Sequence, residues 1–223
     1  IYQKLHNFCV VDLGGFYLDI IKDRQYTMQE NSLGRRSCQT ALYHIIEAMT
    51  RWLTPILSFT AEELWREIPG ARSETVFTAE WYALPNIAES GAISHAEWQQ
   101  MMAVKEAVNK ALEALRASGG IGSSLQAEVT LYCSDSWQSV LQKLGDELRF
   151  VLLSSRADIQ LLSDAGEATD LDGLRVAVIA SPHRKCVRCW HYREDVGAHK
   201  DDPELCGRCV ENVNGAGEQR RFA

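Results

Sequence analysis

The sequence predicts an α+β fold in which a helical segment is followed by a small mixed unit and a C-terminal element built on four cysteines. Apolar residues recur at three- and four-residue steps through residues 42–57 and 98–115, which is the spacing of one helix face. Apolar and polar residues alternate through residues 127–133 and 174–180, as in half-buried strands. Two Cys-x-x-Cys pairs then follow, beginning at Cys186 and Cys206.

Residues 1–68 are predicted to form packed helices. Apolar residues from Ile1 to Cys9 mark a first helix, which Gly14-Gly15 is expected to end or bend, and a second helix begins at Phe16. The strongest helical pattern of the chain follows at residues 42–57, where Pro55 is expected to cause a kink. These elements predict a helical bundle segment.

Two helix starts carry the pattern of an N-terminal capping box, in which a hydroxyl residue and a glutamate three positions later cap each other's backbone amides. Thr60 and Glu63 predict one such start, and Ser94 and Glu97 predict another. The second box opens a long helix that Ser118-Gly119-Gly120 should end.

Changes of pattern along the chain predict its domain boundaries. We expect a helical bundle segment at 1–68, a linker at 69–93, a small α+β subdomain at 94–181 and a cysteine-containing element at 182–223.

Composition indicates a globular protein without a membrane partner. Apolar residues make up 46% of the 223 residues and charged residues 24%, and no apolar run is long enough to span a bilayer. The chain begins at Ile1 within a helical pattern and has no secretory signal, so we expect a piece of a longer cytoplasmic protein.

The net charge of −7 does not exclude a nucleic-acid partner, because the acidic residues are unevenly distributed. Residues 67–180 contain 16 acidic and eight basic residues, whereas residues 181–223 contain seven acidic and eight basic ones. A phosphate backbone responds to local basic clusters more than to the mean charge.

The two cysteine pairs predict a structural zinc site with Cys186, Cys189, Cys206 and Cys209 as its ligands. Paired cysteines two residues apart, with 16 residues between the pairs, match the spacing of such sites. Four thiolates leave no open coordination position, so the metal should organise the backbone and take no part in catalysis. Gly207 is expected to take a positive φ in the second turn.

Other interpretations of the cysteines are less consistent with the sequence. Two disulfides would suit a secreted protein, which nothing else indicates, and a thioredoxin-like redox pair would need only one motif. His183, His191 or His199 could replace a cysteine, although four well-spaced cysteines are already present. Reduced thiols and zinc favour the cytoplasm.

A mixture of basic and aromatic residues surrounds the first cysteine pair. Positive charges suit phosphates and flat rings suit unpaired bases, so this mixture is typical of single-stranded RNA binding. The alternative is that Trp190 packs against the zinc site and that the charges are only solvated. The candidate RNA-binding residues are Arg184, Lys185, Arg188, Trp190 and Arg193, with a second possible phosphate contact at Arg35 and Arg36.

No catalytic site is predicted. The sequence contains no phosphate-binding loop of the Walker or dinucleotide type, no Gly-x-Ser-x-Gly elbow and no paired-carboxylate arrangement.

Three stretches resemble the anticodon-binding helical region of bacterial isoleucyl-tRNA synthetases, namely Gly15–Arg24, Arg35–Leu42 and Arg51–Trp65. Ile121–Leu125 and the four-cysteine element with Trp190 are similar to the C-terminal end of the same enzymes. The resemblance implies a helical anticodon-binding bundle and a C-terminal zinc finger, with tRNA(Ile) and its anticodon stem-loop as partners.

The same resemblance implies an enzyme that uses ATP to activate isoleucine. Its two nucleotide-binding signatures and its editing domain are absent here, so ATP and the catalytic residues would belong to missing N-terminal catalytic and editing domains. Only the four cysteines match the family as ligands; the RNA contacts rest on charge and aromatic placement.

Two other functional classes remain open. Formamidopyrimidine-DNA glycosylases end in a similar four-cysteine finger, but they require an N-terminal proline followed by glutamate, and this chain begins Ile1-Tyr2. A zinc-stabilised protein-interaction module would have no affinity for RNA at any salt concentration.

Overall fold

The computed structural model describes residues 1–86 and 91–223, which divide into two compact units. One unit combines residues 1–34 with the described residues from 91 onwards, and residues 35–86 form the other. The sequence grouped residues 1–68 together and placed a linker at 69–93, of which residues 87–90 lie outside the described residues. Residues 1–34 group with the later part of the chain because of long-range ion pairs, described below.

The chain begins with one continuous helical run. Helix α1 (Tyr2–Asn7) passes into a π-helical segment at Phe8–Tyr17 and then into α2 (Leu18–Thr27). The expectation that Gly14-Gly15 ends the first helix is therefore wrong. A β-carbon at Gly14 would lie 3.0 Å from the carbonyl oxygen of Cys9, so the glycine suits the wide turn here.

The unit of residues 35–86 is built on two helices and a long extended segment. Helix α3 (Leu33–Leu53) ends two residues before Pro55, which corrects the predicted kink, because the residue before a proline disfavours helix. Helix α4 (Ser58–Glu67) has no side-chain cap, so the capping box at Thr60 is also wrong.

Glu62, the neighbour of the predicted capping-box residue Glu63, binds the segment that follows α4. Its Oε2 accepts hydrogen bonds from Thr75 Oγ1 at 2.8 Å and from the Val76 amide at 3.0 Å, at a short 3₁₀ turn, Val76–Thr78. Trp65 donates its indole N–H to the Ser73 carbonyl at 2.9 Å. The extended segment is thereby held against α4.

Helix α5 (His95–Ala117) begins as predicted. Ser94 Oγ accepts from the Glu97 amide, and the Glu97 carboxylate accepts from the Ser94 amide at 2.8 Å, which confirms the second capping box. The helix ends before Ser118, and Gly119 follows with φ 79°. A left-handed residue at this position is easiest for glycine, which has no β-carbon.

A four-stranded sheet packs against α5. Strand β1 (Ala127–Cys133) lies parallel to β2 (Arg156–Leu161) and antiparallel to β4 (Leu174–Ala180), in the order β2-β1-β4-β3. The segment between β2 and β4 contains the short edge strand β3 (Glu167–Ala168). The inward residues of β1 are fully buried, with Met101, Val104, Val108 and Leu112 of α5 in the same core.

The connection from β1 to β2 is helical. It consists of α6 (Asp135–Leu141), a 3₁₀ segment at Gln142–Glu147 and α7 (Leu148–Leu152). Among the described residues, no helix is long and apolar enough to cross a bilayer.

The last 42 residues form two turns, a hairpin and a helix. Strands β5 (Arg184–Lys185) and β6 (Tyr192–Arg193) pair antiparallel, and α8 (Gly207–Asn214) begins directly after Cys206. This small element has little apolar core of its own: its buried cluster consists of the four cysteines and Val196.

Asp23 of α2 binds this C-terminal element through two arginines. Its two carboxylate oxygens each accept one hydrogen bond from Arg208 of α8, both at 2.8 Å, and Arg220 binds the same carboxylate. Glu218 completes the network by accepting from Arg208 and Arg220, both at 3.0 Å. Charge-assisted bidentate pairs of this kind are among the stronger polar contacts.

The arginines of this network also pack on an aromatic ring. The Arg220 guanidinium lies 3.6 Å from the centroid of Phe150 in α7, and that of Arg208 lies 5.2 Å from it. His191 meets the same ring edge-on, with centroids 5.5 Å apart. Phe150 therefore connects α7 to α2 and to the cysteine element.

Burial alone would raise the pKa of the Asp23 carboxyl, but the positive charges of Arg208 and Arg220 outweigh burial and hold the pKa well below its usual range. A carboxylate whose folded pKa is lowered stabilises the fold above its unfolded pKa of about 4. This stabilisation is lost only as the pH falls through the lowered value, so the network is intact at neutral pH.

We predict that Asp23→Asn lowers the free energy of unfolding by about 3 kcal/mol, because two largely buried arginines lose their shared counter-charge. Urea unfolding of the zinc-loaded chain measures the change. Asp170→Asn is the matched control, since its ion pair with Lys110 is exposed and should leave stability unchanged. Equal stabilities of the Asp23 variant and the parent chain would contradict the prediction.

Candidate functional site

The four cysteines of the two paired turns converge on one point. Their Sγ atoms all lie within 4.8 Å of one another, and those of Cys189 and Cys206 are 3.7 Å apart. Zinc–sulfur bonds of about 2.3 Å would place the sulfurs of a tetrahedral site about 3.8 Å apart. All four residues are buried, and none of the seven cysteines, all of which are described, forms a disulfide. The residues therefore fit a structural zinc ion.

The first turn is closed by backbone hydrogen bonds at the end of the β5–β6 hairpin. The Cys186 amide donates to the His191 carbonyl, and the Trp190 amide donates to the Cys186 carbonyl, each at 2.9 Å. To complete this turn, Trp190 takes φ 67°, in the left-handed region. The position would suit glycine, yet it holds the largest side chain.

The second turn is the start of a helix. Cys206 is the N-terminal cap of α8, and its amide donates to Cys186 Sγ at 3.3 Å. Gly207 has no positive φ, so the predicted reason for that glycine is wrong. Its amide donates to Asp195 Oδ2 at 2.8 Å, and a β-carbon there would lie at the same 2.8 Å from that oxygen. Close approach therefore accounts for Gly207.

The four thiols affect one another's ionisation. Hydrogen bonds from Cys186 and the other two sulfurs hold the pKa of the Cys189 thiol far below its usual value. The corresponding contacts raise the pKa values of Cys206 and Cys209, whose own deprotonation is thereby disfavoured. Only a cation at the centre can stabilise all four thiolates together, and a bound metal supplies that charge.

The histidines near the cysteines are not part of the ligand set. The group of potential ligand atoms found in the described residues contains the four cysteines alone. His191 is buried, with its Nδ1 lying 3.2 Å from the Cys189 carbonyl oxygen. It therefore supports the first turn.

Five of the candidate RNA-binding residues lie on the same hairpin. Arg184 and Lys185 form β5, Arg193 lies on β6, and Arg188 and Trp190 lie in the turn between them. Arg184 is directly opposite Arg193 in the pairing register. Like charges in that arrangement repel each other, so an anion bound nearby would stabilise it.

Two of these arginines also make contacts within the protein. Arg188 donates to the Thr27 carbonyl at the end of α2, at 3.0 Å, and Arg193 donates to the Ser155 carbonyl at 3.3 Å. Each holds the hairpin to the rest of its unit. Arg184 and Lys185 are exposed, and the Lys185 ammonium lies 5.5 Å from the centroid of the Trp190 ring.

Trp190 is 60% exposed, so the interpretation of this residue as core is wrong. Arg35 and Arg36 belong to the other unit, where they lie in the first turn of α3, Arg35 half-buried and Arg36 exposed. The structure thus brings five of the seven candidates together.

Comparison with known proteins identifies the family. The model of the "anticodon-binding domain of tRNA ligase" matches residues 1–131, more than half of the chain. This chain belongs to that family. A second model, described as "zinc finger found in FPG and IleRS", matches residues 184–212 of this anticodon-binding chain, which contain all four cysteines.

Curated relatives of this anticodon-binding chain include isoleucine–tRNA ligases. It is 60% identical to the ligase of Saccharophagus degradans, 58% to that of Teredinibacter turnerae and 56% to that of Pseudomonas aeruginosa. Each match covers all of this chain and 24% of the relative, so the chain spans about a quarter of their length. The DNA-glycosylase alternative is not supported, because the helical region matches the tRNA-ligase family.

Several residues that build the site were not predicted from the sequence. Asp23, Phe150 and Arg220 come from distant parts of the chain, and no local pattern marks them as neighbours of the cysteines. A weak signal was present at Tyr26, because a tyrosine on the polar side of a helix is unusual. In the structure its side chain is 75% exposed.

We predict that Cys186→Ser or Cys206→Ser abolishes stoichiometric zinc binding, because a hydroxyl is a poor replacement for a thiolate. Metal analysis of the purified chain measures the content, and amide hydrogen exchange over residues 182–215 should become faster. Cys9→Ser is the matched control and should keep the metal, since Cys9 lies in the first helical run. Unchanged zinc content in the Cys186 variant would refute the assignment.

Proposed function

We propose that this chain binds the anticodon stem-loop of tRNA(Ile), as the tRNA-recognising part of an isoleucine–tRNA ligase. The observation that carries the proposal is Trp190, a large aromatic side chain held outward by a turn whose backbone favours glycine. Bulky residues with positive φ are strained, and such strain is concentrated at functional sites.

The surroundings of Trp190 suit single-stranded RNA. Lys185 and Arg184 are exposed beside it and can approach phosphates, and Trp190 itself is 60% exposed, so its ring can stack on a base. Arg35 and Arg36 are proposed as a separate phosphate contact on the other unit.

The zinc ion is proposed to hold this turn in shape. Cys186, Cys189, Cys206 and Cys209 would bind it, and with four thiolate ligands it has no open position for substrate. The metal would supply positive charge and rigidity only, and this chain's own residues would make the RNA contacts.

We further propose that the whole protein is an isoleucine–tRNA ligase, as its relatives are. ATP and isoleucine would be handled by catalytic and editing domains outside these 223 residues, and the protein would act in the cytoplasm. No catalytic role is assigned to any residue here.

Replacing Trp190 with alanine should weaken binding of the anticodon stem-loop by about 1–3 kcal/mol, the usual contribution of one base stacked on an aromatic ring. Trp190→Phe should retain most of the affinity. Fluorescence anisotropy with a labelled stem-loop gives the dissociation constants, and thermal unfolding shows whether each variant is folded.

Trp190→Gly separates stacking from backbone strain. It should bind RNA as weakly as the alanine variant but be more stable than that variant by about 1 kcal/mol, because glycine adopts a positive φ at low cost. Normal RNA affinity in either variant would exclude stacking on Trp190. Affinity of the parent chain that does not fall with rising salt would exclude phosphate contacts altogether.

The chain by itself should form no isoleucyl-adenylate. ATP–pyrophosphate exchange with isoleucine measures this, and the expected rate equals that of a buffer blank. Exchange above the blank that co-purifies with the zinc-loaded chain would show that catalytic residues lie within it.

A further inference from the structure

A groove with a volume of about 580 Å³ lies beside the first cysteine turn. Helix α2 contributes one side through Ile20 and Tyr26, the first cysteine turn contributes Arg188 and Trp190, and Leu153 follows α7. All of these residues belong to the same compact unit. The size is within the usual range for small-ligand pockets.

Two residues with strained backbone conformations line this groove. Leu153 has φ 57° and Trp190 has φ 67°, and they are the two non-glycine residues with positive φ among those described. Both line this groove. Leu153 lies 37 positions before Trp190, so the strain at each site has its own local origin. Two separate strained residues on one surface indicate a function.

The chemistry of the lining suits a flat, uncharged group. Leu125 and Leu153 are half-buried and offer apolar surface, the buried Ile20 and Phe150 also line the groove, and Tyr26 and Trp190 are large aromatic side chains exposed at 75% and 60%. Exposed aromatic surface of this kind in two neighbouring elements costs hydration free energy unless a partner covers it.

The charged groups of the lining distinguish a base from an apolar peptide side chain. Lys22 and Asp19, joined at 2.6 Å and largely exposed, offer a donor and an acceptor, as the polar edge of a base requires. Arg188 lies on the same lining and is exposed, where it can approach the phosphate of the same nucleotide. Lys22 and Asp19 already bind each other, and Arg188 binds the Thr27 carbonyl, but an aliphatic side chain would form no hydrogen bond or ion pair with any of them, whereas a nucleotide can.

We propose that this groove accepts one unstacked nucleobase of the RNA loop, turned out of the loop and held between α2 and the first cysteine turn. The proposal rests on the proposed RNA-binding function and assigns to it a subsite that includes Tyr26, Leu153 and Ser124. The groove is lined by both α2 and the first cysteine turn. The ion pairs of Asp23 hold these two elements together and therefore also position the groove.

Filling the groove tests this proposal. Ser124→Phe adds bulk to the lining, and Ser123→Phe is the matched control, since Ser123 is exposed and outside the lining. Dissociation constants of the zinc-loaded chain are measured for an intact anticodon stem-loop and for a series of stem-loops, each with one abasic loop nucleotide. Tyr26→Ala is measured in the same way, because it opens the groove without adding bulk.

We expect Ser124→Phe to weaken binding of the intact loop about tenfold and Ser123→Phe to leave it unchanged. One of the abasic stem-loops should bind the parent chain as weakly as the intact stem-loop binds the Ser124→Phe variant. With that loop, Ser124→Phe and Tyr26→Ala should cause no further loss, since the base they act on is missing.

Three results would overturn the proposal. If Ser124→Phe and Tyr26→Ala leave every affinity unchanged while Trp190→Ala still weakens binding, the groove is not a base site and the RNA-binding function stands. The groove assignment also fails if the penalty is the same for all abasic loops. If the parent chain binds no stem-loop, the proposed function fails together with the groove.

Discussion

The structure of the last 42 residues depends on four sulfur atoms sharing one small volume. Four thiolates repel one another, and the hydrogen-bonded thiols show this conflict, since the pKa values of Cys186 and Cys189 are lowered while those of Cys206 and Cys209 are raised. A divalent cation converts the repulsion into attraction to a common centre. The element has almost no other core, so a bound ion would replace the apolar burial that so small an element lacks.

The first cysteine turn is held against the helical part of the same unit. Asp23 does this through Arg208 and Arg220, which lie 185 and 197 residues further along the chain. Arg188 adds a hydrogen bond to the Thr27 carbonyl, one turn of α2 later. Metal binding shapes the turn, whereas the ion pairs determine which surface the turn faces. Loss of either should remove the groove, by different routes.

Features encoded by local spacing could be predicted from the sequence. The cysteine pairs, the capping box at Ser94 and the alternation of β1 each depend on residues a few positions apart. The structure confirms the capping box and the strand, and it brings the four predicted zinc ligands together. The helix break at Gly14-Gly15 and the capping box at Thr60 were wrong because tertiary packing decides whether a glycine pair or a threonine ends or starts a helix. Asp23 could not be assigned, since its partners are almost the whole chain away.

The left-handed conformation of Trp190 could not be predicted either, and it connects the metal to the proposed function. A bulky residue at φ 67° costs about 1–2 kcal/mol, so a free hairpin would relax to another turn. The hydrogen bond from the Trp190 amide to the Cys186 carbonyl opposes that relaxation, and zinc bound by Cys186 and Cys189 would oppose it further. Because the ring is already held outward, little conformational entropy would be lost when a base binds to it. The affinity would be higher for that reason. In the proposed function, a zinc ion bound by the four cysteines would contribute to recognition in this way without touching the RNA.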